Sequence, residues 1–379
     1  MHGAEEPLAF RNCLFRYLVE YRGFTAIALE SGLNESRALH DFVLAGEATE
    51  ANDVARDGYT WGFGRYARNV ALLDWIRHHN AGLPSTQRVH VYGIDLSGGD
   101  AEGNWSGARA TLDDSLGFLS RVAARATGHL RRRLEPFLGQ FTVPGYLAMP
   151  AGARRELRSA LDELVRYYDR HRASLVAVSS ERDFSWARQN AIAARQLESL
   201  FQVSRLPGGG AVLAPDDYKA DAVRDAAMAA NVRWVMEREG PNGRILLFAH
   251  DGHVMNARTR GGIWSVYARA PPAMGLHLRS ALGRDLSIVA ISGSMSGPGR
   301  RSTSRVSATL DAALARVGPE RFLLDFRSAG QPASAAAWLE RTQSLRTNSA
   351  TEILVFPARA FDAIVFFRDL TPAVRVLLD

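Results

Sequence analysis

The sequence predicts an α/β fold in which a mainly parallel central sheet is flanked by helices and carries a helical insertion acting as a lid. Three observations lead there. Short, near-continuous apolar runs alternate with amphipathic stretches of helical period, the pattern of strands covered on both faces. Several of those runs end in a polar residue capable of chemistry, and in parallel sheets ligands collect at the carboxyl ends of the strands. Residues 105–206 carry almost only helical periodicity, with charge pairs and few strand signals.

Taken in order, residues 8–21 read as a helix, and residues 24–29 form an apolar strand ending in Glu30-Ser31-Gly32. A helix over 67–79 leads to the strand 89–94, which ends in Asp95. The helical insertion follows, broken at Val143-Pro144-Gly145 and at Met149-Pro150-Ala151-Gly152. Pro207-Gly208-Gly209-Gly210 then reads as a flexible joint. A helix over 222–238 precedes the strand 245–249, which runs into His250-Asp251-Gly252-His253. A helix over 275–282 and strands over 286–291, 322–324 and 363–367 complete the chain. The expected division is 1–104 as the N-terminal part of the α/β core, 105–210 as the lid and 211–379 as the C-terminal part of the core.

The 379 residues are 46% hydrophobic, enough for a large core, and the formal charge is +6. Nearly all of the positive charge is arginine, Lys219 being the one lysine. Acids and bases are interspersed, and the cluster Arg131-Arg132-Arg133 lacks the interleaved aromatic residues of a base-stacking platform. No nucleic-acid partner is therefore expected. No apolar stretch approaches the roughly 18 residues of a membrane span, so no membrane partner is expected either. The N-terminus lacks the basic and apolar regions of a signal peptide. A lone cysteine, Cys13, excludes an intrachain disulfide and a cysteine metal cage. That suits a reducing cytoplasm, the expected location, with Cys13 read as a small packing residue on the first helix.

No G-x-S-x-G elbow occurs; the nearest run, Gly293-Ser294-Met295-Ser296-Gly297, has methionine where the nucleophile belongs. Phosphate-loop and H-E-x-x-H patterns are also lacking. Histidine and carboxylate remain. His250 and His253 flank Asp251-Gly252, where the glycine is expected to take a tight or left-handed conformation that turns both rings to one cavity. Such a pair serves as metal ligands, as general acid and base, as oxyanion donors, or simply as a solvated turn. Glu30, at the end of an apolar strand, is either a site carboxylate or half of a structural ion pair. Asp95 either orients a histidine or caps the turn after it. His2, judged alone, reads as a frayed end.

Read together, these fragments resemble the erythromycin esterase family. His2-Gly3-Ala4-Glu5-Glu6-Pro7-Leu8-Ala9-Phe10-Arg11, followed by Leu14-Phe15-Arg16-Tyr17-Leu18, is similar to the family's opening motif. Residues 23–32 are similar to the strand that follows it there. Val91-Tyr92-Gly93-Ile94-Asp95, Phe248-Ala249-His250-Asp251-Gly252-His253, Met274-Gly275-Leu276-His277-Leu278 and residues 361–367 continue the same order. The helical middle is poorly matched.

The resemblance implies an esterase-like hydrolase that activates water with a histidine–glutamate site to cleave a carboxylic ester or macrolactone. It assigns His2 as general base, and by position it adds Arg11, Glu30, His250 and His253 to the active site; Asp95, from its place at a strand end, is expected in a supporting role. The Arg11 guanidinium would stabilise oxyanion charge or hold a carboxylate. The implied partner is a small-molecule ester, with a macrolide and antibiotic resistance as the narrower case. Hydrolysis of another ester linked to polysaccharide metabolism, or a non-catalytic binding protein of the same fold, stands as the alternative. No cofactor is certain, a divalent metal remains open, and no metal ligands are assigned. The family also has an earlier strand ending in Gly-Glu, with the glutamate three residues before the histidine. A start placed too late, within the motif, is the expected explanation for its being missing here. His2, Glu30, His250 and His253 are expected to line one cleft, with Arg11 pointing to it from the first helix and the insertion over it.

Overall fold

The computed structural model describes residues 2–45, 50–205, 214–293, 309–327, 332–347 and 351–376. The N-terminal part runs α1 (Glu5–Arg22), β1 (Ala26–Gly32), α2 (Ser36–Leu44), α3 (Ala51–Gly58), α4 (Ala67–Asn80) and β2 (His90–Asp95). The middle holds α5 (Ala110–Val122), α6 (Ala124–Leu138), α7 (Val143–Ala148), α8 (Ala151–Arg170), α9 (Arg172–Ala177) and α10 (Glu181–Val203). Next come α11 (Tyr218–Glu239), β3 (Ile245–Phe248), α12 (Asp251–Val254), α13 (Met274–Leu282) and β4 (Val289–Gly293). The last part is α14 (Leu310–Leu314), β5 (Arg321–Asp325), α15 (Ala333–Leu339), β6 (Gln343–Arg346), β7 (Glu352–Val355), α16 (Pro357–Ala360) and β8 (Ala363–Phe367). The expected Pro207–Gly210 joint lies outside the described residues, as does most of the 293–297 run.

β1 is the central strand of its sheet, pairing in parallel with β2 on one side and β3 on the other. Its apolar run is continuous because both faces are covered. Ile27 and Leu29 pack with Phe15, Leu39, Phe42 and Leu73 on the face of α1, α2 and α4. Ala26 and Ala28 pack with Trp186, Met228, Val232 and Leu278 on the opposite face, under α10, α11 and α13. The helix ends are cut by local chemistry. Gly23 closes α1 at φ 67°, its amide donating to the Leu18 carbonyl, and Ser180 caps α10 by accepting from the Asp183 amide at 3.0 Å.

The expected single sheet is divided. Among the described residues, β4 pairs in parallel with β8, β5 joins β8 antiparallel, and β6 and β7 form a separate antiparallel pair. The strand expected over 286–291 begins three residues later, because the Ile288 amide is taken by the Asp362 carboxylate. The open edges of β3 and β4 border an apolar groove of about 430 Å³ lined by Leu14, Leu18, Phe248, Leu278, Ile288 and Ile291. This open edge leaves β3 half-buried while β1 is buried throughout.

Residues 110–203 are largely helical, and α5 to α10 build their own apolar core around Leu112, Phe141, Leu161, Phe184 and Phe201. The last of these helices also belongs to the sheet, since Trp186 and Ala193 of α10 pack with Ala26, Tyr92 and Ile94. A boundary at 210 thus separates α10 from the sheet it covers. Cys13, expected in packing, is exposed on α1. Arg133 is paired with Glu156 and Glu163, and Arg131 lies near Glu135, so acids answer much of the basic cluster. No helix among the described residues is long and apolar enough to cross a membrane.

Candidate active site

At the carboxyl ends of β1, β2 and β3 the polar residues gather. Glu30 lies within β1, whose pairing to β2 shifts register between Leu29 and Gly32. Such a bulge re-aims side chains next to a site. Gly93 permits the close approach there, for a Cβ at that position would meet the carbonyl oxygens of Gly32 and Ser31 at 2.4 and 2.6 Å.

Glu30 is 6% exposed and fully engaged. One carboxylate oxygen, Oε2, accepts from the His250 amide at 2.7 Å and lies 3.4 Å from His2 Nε2. The other, Oε1, accepts from Arg224 Nη2 at 3.1 Å and lies 3.5 Å from His253 Nε2. Burial works against its charge, but His253, His2 and Arg224 together hold the carboxyl well below the usual range.

The two histidines after β3 are placed by a helical turn. Of the two conformations expected for Gly252, tight or left-handed, the structure has a tight helical one: it lies in α12, with His250 as the N-cap. The Gly252 amide donates to His250 Nδ1 at 3.2 Å. The proton therefore sits on Nε2, which donates to the Thr347 carbonyl at 3.0 Å. Both ring nitrogens are occupied, and burial, with His2 nearby, pushes the imidazole well below its ordinary value. His250 is a neutral wall of the site. His253 is the opposite case. Its Nδ1 donates to Asp225 at 2.9 and 3.1 Å. Burial opposes the charge, but Asp225 and Glu30 outweigh it and lift the imidazolium to about 9.

Arg224 joins the carboxylates. Its Nε and Nη2 donate to the two oxygens of Asp95 at 2.9 and 2.6 Å, a bidentate grip, and its guanidinium lies over the Trp61 ring. Asp95 also accepts from the Leu96 amide at 2.8 Å and from Trp61 Nε1 at 3.0 Å. The sequence leaves two roles for Asp95, orienting a histidine or capping the turn; the partners of its side chain are Arg224, Trp61 and the adjacent Leu96 amide.

His2, Glu30, His250 and His253 line one cleft of about 420 Å³, together with Trp61, Phe63, Arg224 and Trp264. The His2 ring is wedged between Phe63 and His250, centroids 5.2 and 4.8 Å away, with nearly half of its side chain exposed. Arg11 lines an adjoining recess behind His2 and Glu30. It is buried, donates to Asn69 Oδ1 and Asn12 Oδ1 at 2.8 and 2.7 Å, and lies over Phe248, so burial lowers it to about 10. Among the described residues, no group of three or more histidine, cysteine, aspartate or glutamate side chains is arranged to hold a metal ion.

Arg224, Asp225 and Trp61 carried no signal in the sequence. An arginine next to an aspartate in a helix reads as solvated charge, and Trp61 is marked only by its left-handed backbone, φ 59°, which a sequence does not display.

A covered α/β fold that gathers histidine, carboxylate and guanidinium at the strand ends has the groups for acid–base and charge-stabilising chemistry, and the family match places it among hydrolases. More narrowly, the chain belongs to the erythromycin esterase family, whose model matches residues 19–370. That match takes in Glu30, Asp95, His250 and His253 and begins after His2 and Arg11. The fold is similar to that of a Bacillus cereus protein, with 19% identity, 100% of this chain and 88% of the other covered, and a TM-score of 0.78. A succinoglycan biosynthesis protein is similar at 15% identity, with 98% and 86% covered and a TM-score of 0.76. The erythromycin esterase EreC, as a histidine-to-asparagine mutant in its open conformation, is similar at 19% identity, with 100% and 90% covered and a TM-score of 0.72.

Proposed function

We propose that this chain hydrolyses a carboxylic ester or lactone of a small molecule by direct attack of water, with His2 as general base. The observation that carries the reading is the contact of His2 Nε2 with Glu30, 3.4 Å away in an otherwise buried polar cluster. With Nε2 turned to the carboxylate, Nδ1 is the ring nitrogen left to take a proton from water. As that proton moves to His2, the water oxygen bonds to the carbonyl carbon. The oxyanion that forms is stabilised by the cations that line the same cleft, Arg224 and His253. When the carbon–oxygen bond to the alcohol breaks, His2 returns the proton to the leaving alkoxide. Acid and alcohol are released, and the site is restored without a covalent intermediate.

Arg11 enters as the cation behind His2. Its hydrogen bonds go to neutral groups, Asn12, Asn69 and the Arg68 carbonyl, so it favours a product carboxylate in the recess. The cover over the site is assigned to the 105–206 region through Trp105, packed edge-on to Trp61 at 5.0 Å. The family's name favours a macrolide lactone as the narrower substrate.

The test is His2→Asn. General base catalysis contributes roughly 10²- to 10⁴-fold, so ester turnover should fall by that order while the circular dichroism spectrum stays unchanged. Near-normal turnover in the variant, or an acyl adduct trapped on the protein and seen by mass spectrometry, would overturn the proposal.

A further inference from the structure

Asp225 has no part in the proposed chemistry, yet its carboxylate is held for a task. It is 4% exposed and sits on α11 between two segments of the site. Oδ1 accepts from the Met274 amide at 2.7 Å at the start of α13, which fixes the carboxylate against rotation. Both oxygens lie within 3.1 Å of His253 Nδ1. The adjacent residue, Arg224, turns the other way, to Asp95 and Glu30.

We propose that Asp225 is a positioning residue that holds His253 in the orientation and protonation pattern presenting its Nε2 edge to the cleft as an electrophile. The assignment rests on the reading of the cleft as an ester-hydrolysing site. Its physical basis is the doubled contact at Nδ1: a pinned carboxylate accepts that proton, fixes the ring and favours the imidazolium. The titratable and charged groups facing the ring are Asp225, Arg224 and Asp221 from α11, Glu30 from β1 and His250 at the head of α12. From α13 comes the Met274 amide, which acts on Asp225 and not on the ring. Of these, Asp225 and Glu30 favour the cation, burial and Arg224 oppose it, and His250 is kept neutral. Arg224 Nη1 lies 3.2 Å from Nε2 and would donate to a neutral ring; the charged ring carries a proton on Nε2, with Glu30 Oε1 3.5 Å away and the cleft beside it. Asp225 decides between the two states because it is the carboxylate in closest contact.

The experiment follows histidine titration by NMR on the intact protein with labelled histidine, beside the pH profile of kcat/KM, in wild type, Asp225→Asn and Asp225→Glu. In wild type the His253 resonance should titrate near 9. An opposite charge at this distance is worth about one to three pH units, so Asp225→Asn should move both that titration and the alkaline limb of kcat/KM down by at least about one unit. Asp225→Glu should restore most of the shift. A His253 titration at or below the ordinary imidazole value in wild type overturns the assignment, and this needs no variant to fold. So does a folded Asp225→Asn protein with an unmoved titration, the result expected of a purely structural link between α11 and α13. The NMR readout requires no turnover. If the titration moves while no ester is hydrolysed, the hold of Asp225 on His253 stands and the ester-hydrolase reading falls.

Discussion

Three histidines within one cleft differ in what they can do because their partners differ. His250 has a donor on one nitrogen and a carbonyl on the other, so it stays neutral; His253 lies between two carboxylates and favours charge. His253 therefore leaves a signature in stability. Its folded value, about 9, is raised above the unfolded value near 6.5. A raised value means stability fully present below the unfolded value and lost as pH rises through the folded one. Glu30 has the reverse sign: its contribution is present above the ordinary carboxylate range and lost as pH falls through its depressed value. Stability against urea should thus decline between roughly pH 6.5 and 9 by an amount of order 3 kcal/mol. His253→Gln should flatten that decline, and an equal decline in the variant would show that other groups cause it.

At the scale of elements, the bulge in β1 and the glycine opposite it set the position of Glu30. Gly93 has ordinary strand backbone; what matters is space, since a Cβ would press on the carbonyls of Ser31 and Gly32. Gly93→Ala must push the two strands apart where β1 is already irregular. Overpacking of this kind costs about 1–3 kcal/mol, and here it would also displace the carboxylate that holds His2, His250 and Arg224. The expected result is a lower melting temperature together with a loss of turnover larger than a stability-matched core variant shows. Full activity at temperatures where Gly93→Ala is folded would dissociate the bulge from the site. α12 teaches a related lesson. One helical turn orients two rings three residues apart, the tight rather than the left-handed form of the turn expected at Gly252.

Across the whole molecule, the helical middle of the chain reaches the cleft at one aromatic contact, Trp105 on Trp61. Most of it has its own core, α10 is shared with the sheet, and Trp105 meets the cleft wall at Trp61. If that contact shapes the cover, Trp105→Ala should raise KM for bulky esters several-fold and leave kcat/KM for a small acetyl ester nearly unchanged. Equal effects on large and small esters would assign Trp105 to support of Trp61 alone.

By itself the sequence determined that strands would be covered, which residues would stand at their ends and that the middle would be helical, because burial on two faces demands unbroken apolar runs and helices repeat every 3.6 residues. Glu30, Asp95, His250 and His253 were legible for that reason: a polar group ending an apolar run is conspicuous. The resemblance added His2 and Arg11, which no local pattern singles out. Tertiary structure alone decided that the strands divide into separate sheets, since pairing depends on which edges meet and on competitors such as the Asp362 carboxylate at the Ile288 amide. It alone brought Arg224 and Asp225 to the strand ends, turned in different directions from neighbouring positions of one helix. It also decided the charge of each histidine. Protonation is set by burial and by groups distant in the chain, and Asp225 and His253 meet across 28 residues of sequence.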